Sequence, residues 1–228
     1  GSEYSAKAIL ITTGSRFRML NVAGEMDYIG AGIHFCATCD GPFYKGKSVA
    51  VVGGGNSATE ESLFLTRFVD EVTLLFREPE LMSSQILQDK VLDHPQIKIL
   101  FNTDVQEFRG SGGKLESVLI KNSQTEVEKE IKPAGVFIFI GQIPNTSFLE
   151  ESGVKLDEWK YIITGHDLVH THAEQEEDLG WGPAALETSI PGIFSAGDVR
   201  AKSTKQVASA AGEGATAALL IREYLKTV

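Results

Sequence analysis

Residues 47–76 read KSVAVVGGGNSATEESLFLTRFVDEVTLLF, and the punctuation of this stretch decides the fold class. A β-rich run at 48–52, apolar from Val49 onward, stops at Gly53, Gly54 and Gly55. A short β-rich run cut off by glycine reads as a strand. Beyond the glycines the periodicity becomes helical from about 57 to 68, and 72–76 is a second β-rich run. Strand, tight turn, helix and strand within about thirty residues form a βαβ unit with parallel strands. The expected class is therefore α/β.

Working outward, AGVFIFIG at 134–141 is a continuous apolar run of the kind that lies in a parallel sheet covered on both faces. Between it and the βαβ unit, a helix is expected at 84–92. The stretch 112–132, GGKLESVLIKNSQTEVEKEIK, alternates around a glycine-rich hairpin and reads as an antiparallel meander. Towards the start, AKAILITTGS at 6–15 reads as a buried strand ending in a polar glycine turn, with irregular chain after it. QIPNTSF at 142–148 is turn-rich and a candidate domain boundary. Residues 161–186 carry an acidic run (Glu174, Glu176, Glu177, Asp178) without sustained periodicity, and are expected to be a surface loop. IPGIFSAGDVR at 190–200 reads as a short strand halted at a Gly-Asp turn, and 205–225 as a helix rich in small residues.

The glycine turn carries chemistry. Gly53, Gly54, Gly55, Asn56, Ser57 and Ala58 have the spacing G-x-G-x-x-A between a strand and a helix, the context of a dinucleotide fingerprint. Gly53 allows the tight turn, Gly55 lets a pyrophosphate approach the backbone, and Ala58 lets helix and strand pack closely. The first N–H groups of the helix then face the anion. A Rossmann-like NAD(P)H domain is expected. At the end of the second strand Arg77 favours the 2′-phosphate of NADPH while Glu78 opposes it, which leaves NADH open as well.

Bulk properties remove whole classes of function. A formal charge of −10 over 228 residues leaves no cationic excess for a nucleic acid or an anionic membrane surface. No apolar run approaches the ~20 residues that span a bilayer, so a soluble, cytoplasmic protein is expected. Only two cysteines occur, Cys36 and Cys39. A C-x-x-C pair is redox-active or metal-binding. Zinc would need two further ligands, and His166, His170 and His172 are read as solvated residues of the 161–186 loop, so no metal is expected. The chain enters strand-like residues soon after Gly1, which reads as a piece of something longer.

The stretch FCATCDGPFYKGKSVAVVGGGNSATEE at 35–61 resembles the low-molecular-weight thioredoxin reductases. The resemblance extends to Thr13-Gly14, to Gly141 with Pro144-Asn145-Thr146, to SIPGIFSAGDV at 189–199 and to KQVASAAGEG at 205–214. It covers nearly the whole chain outside 161–186. It implies a homodimer that passes electrons from NADPH through FAD to the cysteine pair and on to thioredoxin or a similar small thiol protein. By the same resemblance Cys39 faces the flavin, Cys36 exchanges with the protein substrate, and Asp40 is the acid–base group. Thr13, Gly14, Gly197, Asp198, Gln206 and Val207 would contact FAD.

Two departures qualify these expectations. The glycine-rich strand–turn–helix that opens the family's flavin domain is absent. Residues 1–21 are therefore expected to end a first FAD segment, 22–139 to form the nucleotide domain bearing the cysteines, and 140–228 to form a second FAD segment. With only a partial flavin domain, FAD binding should be weak and turnover by this chain alone is not expected. The family's cluster of cations after the second strand is reduced to Arg77, with Phe76, Glu78 and Met82 in the other places. The remaining alternatives are a related flavin reductase serving another thiol partner, or a nucleotide-binding module without catalysis.

Overall fold

A computed structural model describes residues 2–168 and 182–228. The strands are β1 (Ile9–Ile11), β2 (Ser15–Phe17), β3 (Ile33–His34), β4 (Ser48–Val52), β5 (Glu71–Leu75), β6 (Ile97–Leu100), β7 (Thr103–Ser111), β8 (Lys114–Asn122), β9 (Glu128–Ile131), β10 (Val136–Ile138), β11 (Gln142–Pro144) and β12 (Ile193–Ser195). The helices are α1 (Ala37–Asp40), α2 (Asn56–Leu65), α3 (Gln85–Leu92) and α4 (Val207–Tyr224). The chain divides into one unit of Phe17–Gly141 and another of Gly1–Arg16 with Gln142–Val228.

In the Phe17–Gly141 unit the strand order is β3-β10-β4-β5-β6, and every pairing is parallel. The apolar run of β4 follows from its place at the centre of this sheet. Val49 and Val51 pack with Ala58 and Leu65 of α2, whereas Ala50 and Val52 pack with Val105, Phe108 and Val118 of the opposite layer. Alternate residues point to opposite faces of a strand, so a strand covered on both faces must be apolar at every position. The opposite layer is the antiparallel meander β7-β8-β9. The expected α/β class, with a parallel sheet and an antiparallel meander, is the one observed.

The other unit contains two small sheets, β1 parallel to β12 and β2 beside β11. Its core gathers Ile11, Leu149, Val154, Ile162 and Val199. Among the described residues no helix is long and apolar enough to cross a membrane.

Three local expectations need correction. The irregular chain after residue 15 contains β3, whose two residues pair with β10 through Ile33↔Val136 and His34↔Phe137. Two residues are too few to carry a periodicity. The run at 6–15 is not a buried strand, since only Ile11 is buried while Ile9 and Leu10 are 49% and 37% exposed. The span 161–186 is not simply a surface loop. Ile162, Ile163, Leu168 and Leu186 are buried, and Ile162 bridges both Leu156 and Arg200. Residues 169–181, which include His170, His172 and the acidic run, lie outside the described residues; His166 is exposed. The expected helix rich in small residues is α4, which buries Ala217 alone, with Val207 87% exposed.

Leu74 lies fully buried in β5 against the α2 layer. Leu74→Ala is expected to lower stability by about 2–5 kcal/mol through lost burial and an unfilled cavity. Urea unfolding followed by far-UV circular dichroism checks this.

Candidate functional site

Cys36 follows β3 with extended backbone and caps α1, its sulfur accepting a hydrogen bond from the Cys39 backbone N–H at 3.1 Å. One helical turn brings the two residues to a Cα–Cα distance of 5.3 Å, and their sulfurs form a disulfide. A Cβ at Gly41 would stand 3.0 Å from Leu65, so the residue after Asp40 rests on α2.

Asp40 does not stand alone. Its Oδ2 is 3.4 Å from Nδ1 of His34, whose side chain is 10% exposed. His34 Nε2 lies 2.6 Å from the Tyr44 hydroxyl. Burial lowers the His34 pKa against the opposing pull of Asp40, and burial together with the Asp40 charge raises that of Tyr44. Neither His34 nor Tyr44 was singled out from sequence. The available signal was the alternation of His34 and Cys36 along one face of an extended segment.

The glycine turn leaves β4. Gly53 has φ 142°, and a Cβ there would meet the Phe139 carbonyl oxygen at 2.4 Å. Gly54 is covered by the Phe76 ring, 2.3 Å from where a Cβ would be, whereas a Cβ at Gly55 would meet nothing within 4 Å. Gly55 is the open position, and α2 begins behind it without a side-chain cap. Its first N–H groups therefore remain available to an anion. Asn56 instead uses its side-chain oxygen to accept from the Ser84 N–H at 2.8 Å, which braces the turn against the segment before α3. Ala58 is fully buried, and Ser57 is exposed beside it.

Because β3, β10 and β4 run parallel, Cys36 and Gly53 leave the same C-terminal edge of the sheet, as does Arg77 after β5. In open α/β sheets this edge is where ligands bind. Arg77 is 72% exposed with its Nε 3.5 Å from the Glu78 carboxylate. Phe76 is buried over Gly54, so its position carries packing and not charge.

In the other unit Thr13 and Asn145 clamp each other. The Thr13 hydroxyl donates to the Asn145 carbonyl at 2.8 Å, and the Asn145 side-chain amide donates to the Thr13 carbonyl at 2.8 Å. Gly14, at φ 69°, accepts from the Asn145 N–H. Parallel pairing of β1 with β12 puts Thr13 and Gly197 beyond the same sheet edge. Gly197, at φ 79°, already donates its N–H to Glu213 at 2.7 Å. Asp198 is half-buried, with its carbonyl accepting from Lys205 Nζ at 2.7 Å. Gln206 and Val207 are exposed at the uncapped start of α4. Among the described residues no cluster of His, Cys, Asp and Glu is arranged to hold a metal ion.

Gly53→Ala is expected to destabilise the chain by about 1–3 kcal/mol, because an alanine is strained at that φ and clashes with Phe139; urea midpoints measure it. Glu213 offers a pH test. The Arg200 guanidinium, 2.6 Å away, and the Gly197 N–H hold its pKa below the ordinary 4.5. A carboxylate depressed in the fold contributes stability that is complete above its unfolded value and is lost as pH falls through its folded value. The stability gap between the native chain and Glu213→Gln should therefore narrow as pH drops below about 4.5. Denaturant midpoints across that range check it.

Residues 1–214 match the family described as pyridine nucleotide-disulphide oxidoreductase. The thioredoxin reductase of Bacillus subtilis is 37% identical over 224 residues, which is 98% of this chain and 65% of that protein. The crystal structure of thioredoxin reductase from Streptococcus pyogenes shares 35% identity at TM-score 0.83, over 97% of this chain and 66% of that one. The thioredoxin reductase of Giardia duodenalis shares 32% at TM-score 0.82, over 96% and 66%. The chain thus spans slightly less than two thirds of the relatives it matches. With its parallel sheet, glycine turn and cysteine pair on one sheet edge, the chain belongs to the pyridine nucleotide-disulphide oxidoreductase family.

Proposed function

We propose that this chain is the nucleotide domain and an adjoining part of the flavin domain of a thioredoxin-reductase-type enzyme. The enzyme works as a homodimer in the cytoplasm and uses NAD(P)H to reduce thioredoxin or a similar small thiol protein. The observation that carries this reading is the Cys36–Cys39 disulfide on the same sheet edge as an uncapped glycine turn.

The residues fit a dinucleotide. Gly55 leaves room for a pyrophosphate, the first N–H groups of α2 (Asn56, Ser57, Ala58) face it, and Gly53 and Gly54 hold the turn in shape. Arg77 is the cation for a 2′-phosphate, and its partner Glu78 weakens that grip. Thr13, Gly14, Asp198 and the backbone of Gln206 and Val207 suit the polar edge of FAD. Gly197, its N–H committed to Glu213, serves as a turn. FAD, when bound, supplies a two-electron carrier between nicotinamide and sulfur.

The thiol chemistry follows from local geometry. In the reduced pair the Cys39 N–H favours the thiolate at Cys36, which suits Cys36 to exchange, and the family resemblance assigns Cys39 to the flavin side. The Cys36 thiolate attacks a partner disulfide and one partner sulfur leaves as thiolate. Cys39 then attacks Cys36 and releases the second partner sulfur. Two electrons and two protons pass to the partner, and Asp40 handles a proton beside the pair.

Cys36→Ser in the enzyme is expected to abolish thioredoxin reduction while leaving nicotinamide coenzyme binding intact; full activity in that variant sinks the reading. Titration of this chain with each coenzyme should give affinities for NADPH and NADH within about tenfold. Arg77→Ala should weaken NADPH binding by about three- to tenfold and leave NADH unchanged, because an exposed, partly neutralised cation contributes little.

A further inference from the structure

We propose that His34 is a positioning residue for the proton chemistry of the cysteine pair, orienting the Asp40 carboxylate through a chain of polar contacts Tyr44–His34–Asp40 and sharing an exchangeable proton with it. The inference rests on the redox reading above and extends it to residues the reading does not use.

The geometry is built into the fold. His34 lies two residues before Cys36 and Asp40 one after Cys39, so the polar contact between their side chains joins the two segments that flank the disulfide in the chain. The His34 ring lies 5.3 Å from Phe137 of β10, the strand partner of its own backbone. Tyr44 is equally confined. Its ring sits edge-on to Phe137 at 5.6 Å, and a Cβ at Gly135 would be 2.4 Å from it, so only glycine fits there. The hydroxyl that reaches Nε2 is therefore held from two sides.

Donor and acceptor rules give the chain a direction. A carboxylate only accepts, so Nδ1 carries the hydrogen; neutral imidazole then presents a lone pair at Nε2, and Tyr44 donates to it. Burial pulls the His34 pKa down and pushes that of Tyr44 up, which favours the neutral imidazole and the protonated phenol of this assignment. The surrounding charges are few. Asp40 is the charge that acts on His34, and Lys47 Nζ stands 5.9 Å from the Tyr44 ring centroid. Strand β10 contributes only Val136, Phe137 and Ile138.

The consequence is a proton reservoir at the disulfide. When a dithiol such as dithiothreitol reduces the pair, its thiolate attacks Cys36 Sγ, the S–S bond breaks, and the Cys39 sulfur departs with the bonding electrons. In the fraction of chains where His34 is protonated, the pair can give that sulfur a proton and is refilled from water; the neutral imidazole cannot. The second dithiothreitol thiolate then attacks its own mixed disulfide, and Cys36 leaves as thiolate to be protonated by water. The sum is one dithiol oxidised and one disulfide reduced.

The test uses the full chain without flavin or nicotinamide. Disulfide reduction by dithiothreitol is timed by acid quench, alkylation and mass shift from about pH 5 to 9, where histidine titrates. Each rate is divided by the dithiothreitol thiolate concentration. The native chain should show an inflection, with the normalised rate falling as pH rises and the pair loses its proton. His34→Asn keeps an amide donor for Asp40 but cannot take up a proton. It should lose the inflection and slow reduction about three- to tenfold on the acid side of 6.5, the ordinary histidine value below which burial holds His34, less than the loss of a full general acid. Tyr44→Phe keeps the ring on Phe137 and frees Nε2, so the inflection should move to higher pH. It also serves if His34→Asn fails to fold, as judged by far-UV circular dichroism. An inflection unchanged in both variants overturns the proposal. Asp40→Asn separates the two readings. If it slows reduction while the His34 and Tyr44 variants match the native chain, only this inference fails; if it too matches the native chain, the acid–base role of Asp40 fails with it.

Discussion

The Phe17–Gly141 unit depends on β10 lying between β3 and β4. Val136 pairs with Ile33 on one side and Ala50 on the other, and Phe137 pairs with His34 and Val51. This one register brings the cysteine segment and the glycine turn to the same edge, since each leaves a strand that flanks β10 in parallel. It also sets the side chains. Phe137 supports both His34 and Tyr44, and the carbonyl of Phe139, just beyond β10, closes over Gly53. A shift of one residue would turn Phe137 to the other face of the sheet and dismantle both sites together.

The same unit separates steric from chemical demands along its glycine turn. Gly53 and Gly54 are crowded, one by backbone and the other by the Phe76 ring, while Gly55 is open. Two glycines are thus required by packing and the third is free to face a ligand. Placing an aromatic ring where the resemblance implies a cation fits this division, because Phe76 belongs to the apolar layer under α2. What remains for the coenzyme's far end is Arg77 and its neighbouring acid, both largely in solvent, where charge is heavily screened.

The other unit is organised around Glu213. Its carboxylate accepts from the Gly197 N–H and from the Arg200 guanidinium, so the turn after β12 is tied to the middle of α4. Lys205 donates to the carbonyls of Asp198 and Arg200 and lies 3.9 Å from the Tyr161 ring centroid. These contacts hold the Gly197–Asp198 turn by charge-assisted hydrogen bonds, which are stronger than neutral ones. Apolar burial by α4 contributes little here, because the helix is rich in small residues and buries only Ala217.

The sequence by itself determined the βαβ unit, the meander, the position of the glycine turn and the C-x-x-C spacing of the only two cysteines, whose disulfide only the structure shows. Each of these is a local pattern, written in the period of apolar residues or in spacing along the chain. It missed β3, which is too short to have a period, and misjudged 161–186, where isolated apolar residues such as Ile162 and Leu168 reach the core beside an acidic run. It also misread β1, whose run Ile9–Ile11 looks buried but which, among the described residues, has only β12 beside it. Only the tertiary structure decided that His34 stands between Asp40 and Tyr44, 3.4 Å from the carboxylate of the one and 2.6 Å from the hydroxyl of the other, and that the Phe76 ring covers Gly54. Such contacts depend on where strands sit relative to one another, and strand order leaves no trace in local periodicity.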